Sequence, residues 1–167
     1  MWGDWTPQAD FAALTHGLSS RWRYLTRVTS FNADYLKPLE DVIRHDLIPA
    51  LTGQPHARDN LRQLLALPAR HGGMGIVDPT TLPSRNFSTS KKICAPLIKA
   101  ILHQGGDVLA AQNEQKILKA ERVKRSYAEM KALATILSAS LSEPLSKCAS
   151  AAQEKGASAW LTALPLD

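Results

Sequence analysis

With 167 residues, 44% of them hydrophobic and 21% charged, the chain suits one globular domain or two small lobes sharing a core. Roughly 70% of the unfolded surface can be buried at this length, so neither disulfides nor metal are needed for stability. No apolar run is long enough to cross a bilayer and Met1 to Trp5 carry no secretory pattern, which points to an intracellular protein, nuclear or cytoplasmic. The formal charge is +5 with a pI near 9.4; residues 1–90 hold nine Lys/Arg against eight Asp/Glu, and residues 91–167 hold eleven against seven. Such a bias suits a polyanion partner. Cys94 and Cys148 are far apart in helical contexts and read as two buried free thiols in a reducing compartment.

The elements follow in order. Thr6 and Pro7 make a hydroxyl cap followed by Pro at the first helical position. Phe11, Leu14, Leu18, Trp22 and Leu25 then recur at steps of three and four as one apolar stripe. Gly17 interrupts it, which predicts a close helix crossing or a break. A second helix is expected over Tyr35 to Leu51, capped by Asn32 or Asp34. Its stripe is Leu36, Leu39, Ile43, Leu47 and Leu51, with Pro49 and Gly53 as stop signals. Gln54, Pro55 and His56 read as a turn, and Arg58 to Ala66 as a short helix with Leu61, Leu64 and Leu65 apolar.

The segment from Leu64 to Pro79 is where the chain changes style. Three glycines in four positions (Gly72, Gly73, Gly75) imply a backbone path closed to other residues, and Met74 and Ile76 alternate as an extended segment pressed on a core does. Pro68, Gly72, Gly73 and Gly75 are therefore read as a structural turn, with packing favoured over ligand binding. Beyond it, Ser84 is the expected cap of a helix carrying Phe87, Ile93, Leu97, Ile98, Ile101 and Leu102, with Pro96 as a kink and Gly105 and Gly106 as its end. Asp107 to about Leu141 is the longest helical pattern, with a heptad-like seam of Val123, Tyr127, Met130, Ala134, Leu137 and Leu141. Glu143 and Pro144 break it. A last helix spans about Leu145 to Lys155, and Gly156 closes it, leaving Trp160, Leu161 and Leu164 beyond.

The chemistry of a self-contained active site is missing from these residues. His71, Gly72 and Gly73 are similar to an oxyanion-hole loop, but no G-x-S-x-G elbow accompanies them. No phosphate-loop motif, C-x-x-C or H-E-x-x-H occurs, and His16, His45, His56, His71 and His103 are scattered. The adjacent acids Glu40 and Asp41 read as a solvated helix face. No catalytic residue, metal, cofactor or small-molecule substrate is expected.

The basic residues say more. Lys116, Lys119, Arg122, Lys124, Arg125 and Lys131 crowd one helix, with Glu114, Glu121 and Glu129 between them. One reading is a solvated face laced with i,i+4 pairs such as Glu121 to Arg125. The other is a strip that tracks a nucleic-acid backbone, each cation displacing a counterion from a phosphate. Arg21, Trp22, Arg23, Tyr24 and Arg27 interleave cations and rings, as a stacking or backbone-contacting surface would. If Trp22 belongs to the core, only the arginines are left to make contacts.

Phe11, Thr15 to Arg27, Pro38 to Glu40, Leu47 to Gly53 and Leu65 to Ile76, in that order, resemble the segment following the polymerase palm in animal retroelement reverse transcriptases of the non-LTR type. The P-x-x-x-G-G-[LM]-G-[IVL] turn is similar to one in that family. Lys91 to Leu97 and Lys155 to Leu166 look like later landmarks of the same frame. The resemblance implies a thumb-like helical region that grips template–primer duplex beside a catalytic palm. Phosphoryl transfer in that family needs metal-binding carboxylates, including a Tyr-x-Asp-Asp turn, and no Asp-Asp pair occurs here. The chain thus reads as a non-enzymatic fragment whose missing palm is a possible partner.

These observations predict an all-α bundle of about five to six helices with one Gly-rich irregular crossing at 68–79. Residues 1–83 are expected to form a thumb-like subdomain and 84–167 a basic helical subdomain, with a single domain overall as the alternative. The expected function is non-specific binding of RNA or DNA, duplex or single-stranded, through phosphate contacts by Arg21, Arg23, Arg27, Lys91, Lys92, Lys116, Lys119, Arg122, Lys124 and Arg125. The alternatives are a helical protein-interaction module built on the seam, or a retroelement remnant without function.

Overall fold

The computed structural model describes residues 7–30, 32–53, 58–104 and 106–154. These form six helices and, among the described residues, no strand; the fold is an all-α bundle. The expected cap at Thr6, the turn at Gln54 to His56, Gly105, and the landmarks from Lys155 onward lie outside the described residues.

Helix α1 spans 7–28 and α2 spans 33–52, and each is widened near its middle by a π-helical turn, Ala13–Leu18 and Ile43–Leu47. The widening is visible in the hydrogen bonds: Ser19 N–H reaches back five residues to the Leu14 carbonyl, and Ile48 N–H to that of Ile43. Each π turn advances the buried face by one residue. In α1 the core side is Phe11 and Leu14, then Ser19 and Thr26, while Leu18 and Leu25 turn outward at 52% and 51% exposure. In α2 the step runs from Ile43 to Ile48, the latter wholly buried, rather than to Leu47. A stripe at strict 3.6 spacing therefore misses Ser19, Thr26 and Ile48 and wrongly includes Leu18 and Leu25, although Trp22, Leu47 and Leu51 still pack against the core.

Gly17 lies inside the first π turn, and a Cβ there would meet nothing within 4 Å, so it marks the break and not a close crossing. Hydroxyls serve carbonyls around this turn: Thr15 Oγ1 donates to Phe11 O at 2.8 Å and Ser19 Oγ to Thr15 O at 2.9 Å. Asn32 caps α2, accepting from Asp34 N–H at 3.1 Å. Pro49 does not stop that helix; it opens the last segment, Ile48–Thr52. Gly53 stops it, at φ 68°, donating to Pro49 O at 2.8 Å.

Helix α3 is Asp59–Ala66 and α4 is Leu82–Leu102. Ser84 sits within the first turn of α4 and is not its cap; the chain is instead turned into the helix by Asp78, which accepts from Thr80 N–H at 2.8 Å. Pro96 is carried inside α4. Helix α5, Val108–Ser140, is 33 residues long, about 50 Å at 1.5 Å per residue, and Asp107 caps it by accepting from Ala110 N–H at 3.0 Å. Helix α6, Glu143–Ala151, begins on Pro144 in its first turn.

Phe11, Leu14, Ile43, Ile48, Leu65 and Ile76 make one apolar cluster, from α1, α2, α3 and the Gly-rich crossing. Leu64, Leu67, Ala134, Leu137 and Ala149 make a second, from α3, α5 and α6, and it joins residues before and after position 83. Helices α4 and α5 lie together as a hairpin, and α4 also packs on the C-terminal half of α1. The heptad-like seam divides. Ala134 and Leu137 are buried inside the chain, with Met130 and Leu141 packed beside them, whereas Val123 is 69% exposed. Both cysteines are free, but Cys94 is half-buried and Cys148 exposed, so the expected pair of buried thiols is not formed.

The crossing at 68–79 is irregular, as its glycines require. Gly72 and Gly75 have φ of 81° and 72°. At Gly73 a Cβ would lie 2.0 Å from Leu67 O and 2.4 Å from Leu64 O, so the backbone itself occupies the side-chain space. Gly75 N–H donates to Leu67 O at 2.7 Å, and Ile76 and Met74 N–H both donate to Leu65 O. These bonds staple the segment along the end of α3 and drive Ile76 into the core at 2% exposure.

Candidate nucleic-acid interface

Where α1, α4, α5 and the Pro68 to Gly75 segment meet, they enclose a groove of about 850 Å³. Its floor is apolar, with Phe11, Met74, Leu82 and Met130, and its rim is cationic, with Arg23 and Arg27 from α1, Arg85 from α4 and Arg122 from α5. Arg23 and Arg27 are one helical turn apart and project together. Arg122, Ser126 and Met130 are likewise spaced at four, giving α5 one continuous ridge along the groove. Among the described residues that line it there is no carboxylate, though Glu129, paired with Arg85, lies at its edge.

A polar link fixes α1 on α4 beneath this rim. Thr26, fully buried, donates to Arg23 O at 3.0 Å and accepts from Asn86 Nδ2 at 2.9 Å. Arg85 ties α4 to α5 by donating to Glu129 at 2.7 Å. This is the partner Glu129 takes; the expected i,i+4 pair of Glu121 with Arg125 does not form, and both residues are exposed. Burial, and then the neighbouring Arg27, hold the Arg23 guanidinium below the ordinary arginine value. Burial, Arg85 and Arg125 do the same to Arg122 against the opposing effect of Glu129. Both remain cationic at neutral pH. Glu129 offsets part of the charge of Arg85 and Arg122, whereas Arg23 and Arg27 crowd one another with no carboxylate among the described residues paired to either, and such an excess of positive charge favours an anion in the groove.

The residues expected to bind nucleic acid are thus only partly brought together. Arg23, Arg27 and Arg122 converge. Arg21, Lys91, Lys92, Lys116 and Arg125 are exposed but do not line the groove. Lys119 and Lys124 line a second, more open depression of about 520 Å³ beside it, with Arg70 and Tyr127. Trp22 packs against the first apolar cluster with its indole N–H buried and unpartnered, as a core residue, while Tyr24 is exposed.

Sequence reasoning missed Arg85, Asn86, Arg70 and the surface role of Tyr127. Arg85 and Asn86 stand in a segment read for its cap and apolar stripe, and only their tertiary neighbours give them a role. The spacing of Tyr127 puts it on the seam, which says nothing of the neighbours it meets at the surface. Glu40 is also not solvated: Arg62, 4% exposed, donates to both of its carboxylate oxygens at 2.7 and 2.6 Å and to Ile76 O at 2.7 Å. Asp41 beside it is exposed. This bidentate pair locks α2, α3 and the crossing together. Among the described residues, no three His, Cys, Asp or Glu side chains gather as a metal site would need.

No protein-family model, curated protein or solved structure matches the chain. No described helix is long and apolar enough to cross a membrane.

Proposed function

We propose that this chain is a helical nucleic-acid-binding module that holds the phosphate backbone non-specifically and performs no catalysis of its own. It is similar in its ordered landmarks to the post-palm region of a non-LTR retroelement reverse transcriptase. The observation that carries this reading is the convergence of Arg23, Arg27, Arg85 and Arg122 from three helices on one groove, with the single ion pair of Arg85 to Glu129 at its edge and no carboxylate among the described residues of its lining. Arginine suits phosphate through its planar fork of donors, and phosphate contacts position a strand without reading its sequence.

Fluorescence anisotropy with a labelled oligonucleotide tests this. Replacing Arg23 and Arg122 together by Gln is expected to weaken binding at least tenfold at about 50 mM salt, since each phosphate contact adds to the electrostatic affinity. Replacing Lys91 and Lys92 by Gln, outside the groove, is expected to weaken it much less. Equal losses in the two double variants would sink the groove as the site.

A second reading has its own observation. At the far end of the α4–α5 hairpin Ile101, Leu102 and Leu109 are exposed at 66%, 74% and 66%, an apolar end suited to a protein contact, of which a polymerase palm is one candidate.

A further inference from the structure

Beside the arginine groove lies the open depression formed by Arg70, Lys119, Val123, Lys124 and Tyr127. Tyr127 is 47% exposed, and its ring is held from within by His71, whose ring centre is 5.4 Å away at 52°. The Arg70 guanidinium lies over the Tyr127 ring, 5.0 Å from its centre, so it covers that face of the ring. Lys119, Val123 and Tyr127 are spaced at four along α5, on the stripe adjoining the Arg122, Ser126 and Met130 ridge. On the opposite wall Ala69 lines the groove and Arg70 the depression. The two hollows are therefore neighbours on both sides, and a strand leaving one enters the other.

We propose that Tyr127 and Arg70 form a stacking subsite for an unpaired base of a single-stranded nucleic acid whose phosphates run along the arginine groove. This rests on the phosphate-binding reading above and adds a preference for single strands. A base stacks on the Arg70 guanidinium plane, which the Tyr127 ring backs and holds, and Lys119 and Lys124 supply charge for the flanking phosphates. Duplex bases are hidden in their own stack and cannot use such a platform. His71 fixes the ring from the buried side, so Tyr127 is oriented before a strand arrives.

Three labelled ligands separate the two parts: a ten-nucleotide oligothymidylate, a ten-residue abasic strand with the same phosphates, and a ten-base-pair duplex. The intact protein is expected to bind the oligothymidylate about tenfold more tightly than the abasic strand. Tyr127→Ala should abolish that difference while leaving the abasic affinity in place, and Tyr127→Phe should restore it. A 5-iodouracil strand irradiated on the unaltered protein should cross-link to Tyr127, which tests the contact without relying on a variant that folds. Equal affinity for the oligothymidylate and the abasic strand, or cross-links only elsewhere, would overturn the stacking subsite while the groove stands. Lack of salt-dependent binding to all three ligands would overturn the groove and the subsite together.

Discussion

His71 is 5% exposed, and its Nε2 is buried without a protein partner. Burial first, and then the charges of Arg70 and Lys131, depress its basicity. The unfolded chain takes up this proton near pH 6.5 and the folded chain only at lower pH. Stability is therefore full above about pH 6.5 and is lost as pH falls below it, at no more than about 1.4 kcal/mol per pH unit. Urea melts at pH 7.5 and 5.5 should show this loss, and His71→Leu should reduce it; an identical loss in the variant would contradict the assignment. The glycines separate two causes in the same way. Gly75 has a positive φ and open space around it, so Gly75→Ala should cost about 1–2 kcal/mol. Gly73→Ala drives a methyl into two carbonyl oxygens and should cost more than about 4 kcal/mol or prevent folding. Comparable melting temperatures for the two variants would contradict this division. The need for glycine here was legible from composition, but which glycine is held by φ and which by contact was not, because the contact is with the end of α3.

Within the elements, helix existence was legible and so was much of each apolar face, Phe11, Leu14, Ile43, Leu64 and Leu65 among it, but the shift of that face past a π turn was not. Asp107 as the cap of α5 and Gly53 as the end of α2 follow from local chemistry that a sequence displays. The π turns in α1 and α2 each add one residue to the period, so the apolar stripe read at constant spacing leads to the exposed Leu18 and Leu25 and to the half-buried Leu47, where Ser19, Thr26 and Ile48 are the fully buried residues. Gly17 and Pro49 were the sole hints: glycine tolerates the widened turn, and Pro49 has no N–H to donate backward. Leu18→Gln and Leu25→Gln should each change stability by less than about 0.5 kcal/mol, as exposed sites do, while Ile48→Ala should cost about 2–5 kcal/mol. Chemical denaturation decides it, and a large loss at Leu18 would mean that the stripe is continuous after all. Glu40→Ala should be as damaging, about 3–5 kcal/mol, because it strands the buried Arg62. A small loss there would show that the pair is solvated.

For the whole molecule, the groove is a product of assembly. Arg23 and Arg27, Arg85, and Arg122 are far apart in sequence; the first pair and Arg122 were legible only as parts of separate basic clusters and Arg85 not at all, while the larger clusters around Lys91 and Lys116 were the more conspicuous. The packing of α1 on α4 through Thr26 and Asn86, and of α4 on α5 through Arg85 and Glu129, sorts them into those that face one hollow and those that face solvent. The central claim is that these four arginines neutralise phosphates. The most direct measurement is the affinity for a labelled single strand as a function of salt concentration. The logarithm of the affinity should fall linearly with the logarithm of salt at a slope of about −2 to −4, the value for three to four phosphates at the arginines and up to two more at Lys119 and Lys124, and Arg122→Gln should make it shallower by about 0.7. Absence of binding at low salt, a flat salt dependence, or a slope unchanged in Arg122→Gln would contradict the account.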